Sequence, residues 1–208
     1  MNKVVRDYLL LALFVLGTGF GAATIMRVAI GVSAWDALTQ NLAELTSIKV
    51  GTMGIILNIL CLVGQFIIKK GRVNPLVVFQ IPMTLLLGTV VNIAYYDILN
   101  NLSLVAYWQK LLVFFLGQIS IAASIGGIMT INRLVFPLEG LCMAIEEKTS
   151  FSFVRIRQSV DVISVILALI IFFVFKTTPT IREGSIIGML IFSPLVGLFM
   201  KFWKPIIG

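Results

Sequence analysis

Long stretches of apolar residues with few charges recur along this chain, and short polar clusters separate them. They fall roughly at 8–30, 50–68, 75–96, 109–132, 158–176 and 184–203. Each comes close to or exceeds the ~20 residues that a helix needs to cross a bilayer. The short alternating segments of a membrane β-barrel are not seen. The pattern therefore predicts six transmembrane helices. The fifth is the weakest, because Asp161 lies near its start. Gly71 and the Asn74-Pro75 pair punctuate the turn between the second and third, and Thr177-Thr178-Pro179 precedes the last.

Two shorter segments carry a different pattern. Between 34 and 46, Trp35, Leu38, Leu42 and Leu45 recur at helical spacing, while Asp36, Gln40 and Glu44 fall on another face. Ser33 can cap this helix, and Asp36 in its first turn suits the helix dipole. The segment 136–148 opens on Phe136-Pro137, a good helix start, and carries Glu139. Both predict short connector helices that lie in the interface or dip back into the protein.

Composition agrees with a membrane protein. The chain of 208 residues is 59% hydrophobic and 12% charged, against about 25% charged in a soluble domain. The net charge of +7 reads as topology rather than nucleic-acid binding. With an inside N-terminus, the inner side carries Lys3, Arg6, Lys69, Lys70, Arg72, Arg133, Lys148, Arg155, Arg157, Lys201 and Lys204. The outer side carries only Lys49, Lys110, Lys176 and Arg182. This bias predicts both termini on the cytoplasmic side, which needs an even number of spans. Lys3 and Arg6 before an apolar run resemble a signal peptide, but the run from Tyr8 to Met26 is long enough to read as a retained span. Histidine is absent, and Cys61 and Cys142 lack metal-ligand spacing, so no metal or cofactor is expected.

The two halves of the chain align at an offset of 103. Asp36 then falls on Glu139, Leu38 on Leu141, Glu44 on Glu147, Thr46-Ser47 on Thr149-Ser150, Asn58 on Asp161 and Gln80 on Glu183. The coincidence of rare polar residues at one offset points to a repeat: 1–104 and 105–208, each of three spans with one connector. Three spans per unit invert the second unit in the membrane, and substrate sites of such repeats lie near the midplane. The expected architecture is all-α, a 3+3 inverted repeat.

Candidate site residues follow from this alignment. Asp36, Glu139 and Arg27 are ionisable residues near membrane depth, with Trp35 beside them. Two readings stand. Asp36 and Glu139 either start helices, with Trp35 an interfacial anchor and Arg27 snorkelling, or they line a central polar cavity. Of the polar residues in or near spans (Gln80, Asn92, Gln118, Asn132, Asp161, Glu183), Gln80 and Glu183 coincide in the repeat and are the next candidates. Gly17 and Gly21 form a small-residue stripe for helix packing. Glu146, Glu147, Lys148, Arg155 and Arg157 read as a solvated cytoplasmic segment.

"RVAIGVSAWDAL" resembles the R-x-x-x-G-x-x-P-W-D-x-L stretch of the YczE-like branch of the bacterial YczE/YyaS/YitT membrane proteins. "LTSIKVGTMGIILN" resembles the T-G-x-x-x-G-T segment that follows it there, and "REGSIIGMLIFSPLVGLFMK" the terminal glycine-rich span. Ala34 stands where the group has Pro, and Ser193-Pro194 replaces Gly-Pro. The resemblance implies a multi-span bacterial membrane protein and supplies no substrate. The expected function is a transporter, or the membrane substrate-binding subunit of one, for an unidentified small solute. With no nucleotide-binding motif, its driver is an ion or a partner membrane or ATPase subunit. In size and span count the chain is similar to substrate-capture subunits of energy-coupling-factor importers. A scaffold or regulatory partner protein is the alternative. An enzyme is not expected, although paired carboxylates sharing a proton would be its route.

Overall fold

The computed structural model describes residues 3–71, 75–133 and 135–207. Arg72 of the basic run and Asn74 of the turn lie outside them. Among the described residues the protein is all helical. The helices are α1 (Lys3–Val28), α2 (Ala34–Thr46), α3 (Val50–Ile68), α4 (Gln80–Asn92), α5 (Tyr107–Ile131), α6 (Pro137–Glu146), α7 (Phe153–Phe175) and α8 (Glu183–Ile207). A 3-10 turn at Pro75–Phe79 leads into α4, and a π-helical turn at Ile93–Ile98 extends it. Six helices are long and apolar enough to cross a membrane. Ile67, Phe173 and Leu190 stand exposed on the outside, where lipid covers them.

α7 starts at Phe153, earlier than the expected 158. Arg157 and Asp161 sit four apart on this helix and pair with each other. The charges are thus accommodated within a helix turn rather than ending it.

α1 and α5 cross at the centre of the molecule. A Cβ on Gly17 would collide with the Ser124 hydroxyl, and one on Gly21 would come within 2.9 Å of the Gly117 carbonyl. The Ser120 hydroxyl donates to the Gly17 carbonyl at 3.0 Å. Small residues let the two backbones approach, as in many membrane helix pairs. α4 flanks α1, and α8 flanks α5. Each connector crosses to the other half: α2 packs on α7, and α6 packs on α3. The Asn41 side chain donates to the Ala168 carbonyl at 2.8 Å, and Gln65 donates to the Pro137 carbonyl at 2.8 Å.

Four pairs of helix boundaries recur at one spacing. α1 ends at Val28 and α5 at Ile131. α2 and α6 begin at Ala34 and Pro137, α3 and α7 at Val50 and Phe153, α4 and α8 at Gln80 and Glu183. Every pair is 103 residues apart. Ala29 and Asn132, which follow α1 and α5 at the same spacing, are both left-handed, with φ of 56° and 52°.

The polar contacts gather at two ends. At one, Asp7 pairs with Arg133 at 2.7 Å, and Lys69 with Glu147 at 2.9 Å. At the other, Glu44 accepts from the Thr178 amide at 2.9 Å, and Arg182 donates to the Ala29 carbonyl at 2.9 Å.

Candidate functional site

Between the ends lies a cavity of about 450 Å³, within the range of small-molecule sites. Both connectors and both halves contribute to its wall. α2 supplies Trp35, Asp36 and Thr39. α3 supplies Gly54 and Asn58, α4 Thr84 and α5 Gln118. α6 supplies Glu139, α7 Arg157 and Asp161, and α8 Met189 and Phe192.

Local sequence explains how the two connector carboxylates arrive there. Ser33 caps α2: its hydroxyl accepts from the Asp36 amide at 3.2 Å and donates to the Asp36 carboxylate at 2.7 Å. That reciprocal bond fixes the carboxylate at the helix start. In α6 Pro137 occupies the first turn, and Glu139 follows it. Arg157 from α7 reaches the Glu139 carboxylate at 3.6 Å, and its other nitrogen bonds Asp161. Burial raises both connector carboxyls above the ordinary carboxylate value. The Ser33 hydrogen bond opposes this at Asp36, and the Arg157 charge opposes it at both. Among the described residues, Asp36 has no cation within 4 Å, so Arg157 acts on it only at longer range.

Asp36, Glu139 and Trp35 therefore share one wall system. Arg27, Gln80 and Glu183 do not line it. Arg27 donates to the Leu99 carbonyl at 2.9 Å, bonds Asn100 and lies over the Tyr95 ring. It clamps the link between α4 and α5, where carbonyls left over from a helix end need donors. Gln80 is buried against Gln65 at 3.3 Å, and Glu183 pairs with Tyr107 and Arg182 at the opposite end. Gly17 and Gly21 lie in the α1–α5 contact.

Sequence reasoning missed Arg157, which it placed in a solvated loop. The side chain is 27% exposed and joins two carboxylates on the cavity wall. It also passed over Gln118, which is 8% exposed, faces the cavity and has no hydrogen-bond partner among the described residues. The one sequence signal for Arg157 was Asp161, four residues on and 103 residues from Asn58. Among the described residues no group of three or more metal-ligating side chains is found.

Residues 5–201 match the model of a family of unknown function, DUF6198. The chain belongs to this family. A DUF6198 protein is thus, in this instance, a multi-pass helical membrane protein with a largely apolar cavity between six spans, into which a few carboxyl side chains are set. No curated protein and no solved structure matches the chain.

Proposed function

We propose that the protein is a small-solute carrier, or the membrane solute-binding subunit of one, with its site between two inverted halves. The observation that carries this reading is the cavity itself, lined by Asp36 from one connector and Glu139 from the other. Ionisable groups at such a depth are costly and mark solute or ion pathways by default. The 103-residue spacing of helix boundaries supports the repeat, and a midplane site between repeats is the usual carrier arrangement. The resemblance to YczE-like proteins agrees with a bacterial inner membrane, and the excess of basic residues on one side agrees with cytoplasmic termini. Movement is driven by an ion or by a partner subunit, since the sequence holds no nucleotide-binding motif.

The test is thermal unfolding of the purified protein against a metabolite panel, with Asp36→Asn and Glu139→Gln beside wild type. A ligand of the folded state raises its midpoint by mass action. A stabilising metabolite whose effect both variants lose is the expected result. A stabilising metabolite that both variants keep puts the binding site elsewhere.

A further inference from the structure

The two sides of the cavity differ in charge. In the second half Glu139 faces Arg157, which also holds Asp161. At the repeat spacing of 103, the matching positions in the first half are Asp36, Gly54 and Asn58. The carboxylate is retained and the guanidinium has no counterpart. The place is also open: a Cβ built on Gly54 meets only the Thr39 methyl, at 3.8 Å. Gln118, a buried residue of α5, lines the same cavity and offers it an amide.

We propose that the cavity takes a small organic cation, whose charged nitrogen occupies the space before Gly54 against Asp36. This is the position that the Arg157 guanidinium holds beside Glu139 in the other half. The apolar remainder of the ligand lies against Trp35, Met189 and Phe192, and Gln118 supplies a hydrogen bond. An anion would meet three carboxylates and a single guanidinium already engaged by two of them. A hard metal ion asks for six or more oxygen ligands, and among the described residues no group of three or more His, Cys, Asp or Glu side chains is placed to hold one.

This assignment rests on the carrier reading, and one experiment separates the two. Thr84 is buried and lines the cavity. Thr84→Cys in the full chain, in detergent, is treated with three methanethiosulfonates: neutral methyl, cationic trimethylammonioethyl and anionic sulfonatoethyl. The native Cys61 and Cys142 are buried outside the cavity wall and give the background. With each rate divided by that reagent's rate with a free thiol such as 2-mercaptoethanol, the cationic reagent is expected to react about tenfold or more faster than the anionic one. Asp36→Asn and Gly54→Arg each bring that ratio toward one or below it. Benzylammonium slows the neutral reagent, while benzoate and benzyl alcohol do not. If the neutral reagent reacts with no charge preference, or the preference survives Asp36→Asn, the cation falls and the carrier cavity stands. Ser185, near the start of α8, also lines the cavity, and if no reagent reacts at Thr84→Cys or at Ser185→Cys, the accessible cavity falls and the cation with it.

Discussion

In the first half α3 lies so close to α4 that a Cβ on Gly51 would collide with the Gly88 carbonyl oxygen. The Asn92 side chain accepts from the Gly51 amide at 2.8 Å and donates to Thr52 at 2.9 Å. The Tyr96 hydroxyl accepts from the Val50 amide at 3.2 Å. In the second half the positions 103 residues on from Gly51, Gly88, Asn92 and Tyr96 are Val154, Ile191, Leu195 and Phe199. There the small and polar residues are replaced, and among the described residues α7 and α8 hardly touch. Both still line the cavity. One helix pair is latched by backbone approach and hydrogen bonds, while its counterpart borders the cavity as a gap. The matched topology therefore does not imply matched stiffness. The pair without a latch is held instead by its other neighbours, α7 by α2 and α8 by α5, and α7 carries Arg157 and Asp161 of the ionic cluster.

The comparison breaks first at Gly51. Gly51→Leu is expected to yield little folded, monodisperse protein on size exclusion, because overpacking strikes backbone rather than a yielding side chain. Val154→Leu, at the matching exposed position, is expected to change stability by less than about 0.5 kcal/mol. Equal outcomes for the two would remove the latch. Next, Arg157→Ala leaves Glu139 and Asp161 without their cation, a loss of about 1–3 kcal/mol in thermal unfolding. Adding Glu139→Gln and Asp161→Asn should recover most of it. A smaller effect, about 1 kcal/mol, is expected from Arg27→Ala, which removes the bonds to Leu99 and Asn100. Hydrogen exchange should rise in the segment 93–105 while cavity reagents react as before. Gly54→Ala is expected to gain about 0.5–1 kcal/mol from helix propensity, since the new methyl meets open space. The smallest change, under about 0.5 kcal/mol, is expected for Glu147→Gln, whose partner Lys69 is a surface pair.

The long helices and both connectors were legible because apolar periodicity and cap chemistry act locally. Ser33, Asp36 and Pro137 start helices for reasons contained within a few residues. Arg157 was not legible, because a topology anchor and a cavity counter-ion look alike in sequence. Only the seating of α6 between α3 and α7 puts Glu139 beside it. Gln80 and Glu183 lie off the cavity wall for an instructive reason. They coincide in register because each begins a helix, α4 and α8, at opposite ends of the molecule. The sequence left two readings open for Arg27, because its partners, the carbonyls of Leu99 and Asn100, are backbone groups more than seventy residues away.

The exchange of connectors between halves sets an order of events during synthesis. α2 leaves the ribosome well before α7, the helix on which it packs. Until α7 inserts, the Asn41 amide has no Ala168 carbonyl to bind, and α2 rests unseated. α3 can insert early, but the face that receives α6 stays open in the same way. A chain released after its third span would thus expose two unfilled docking faces at once. Completion of the second half supplies the partners of both.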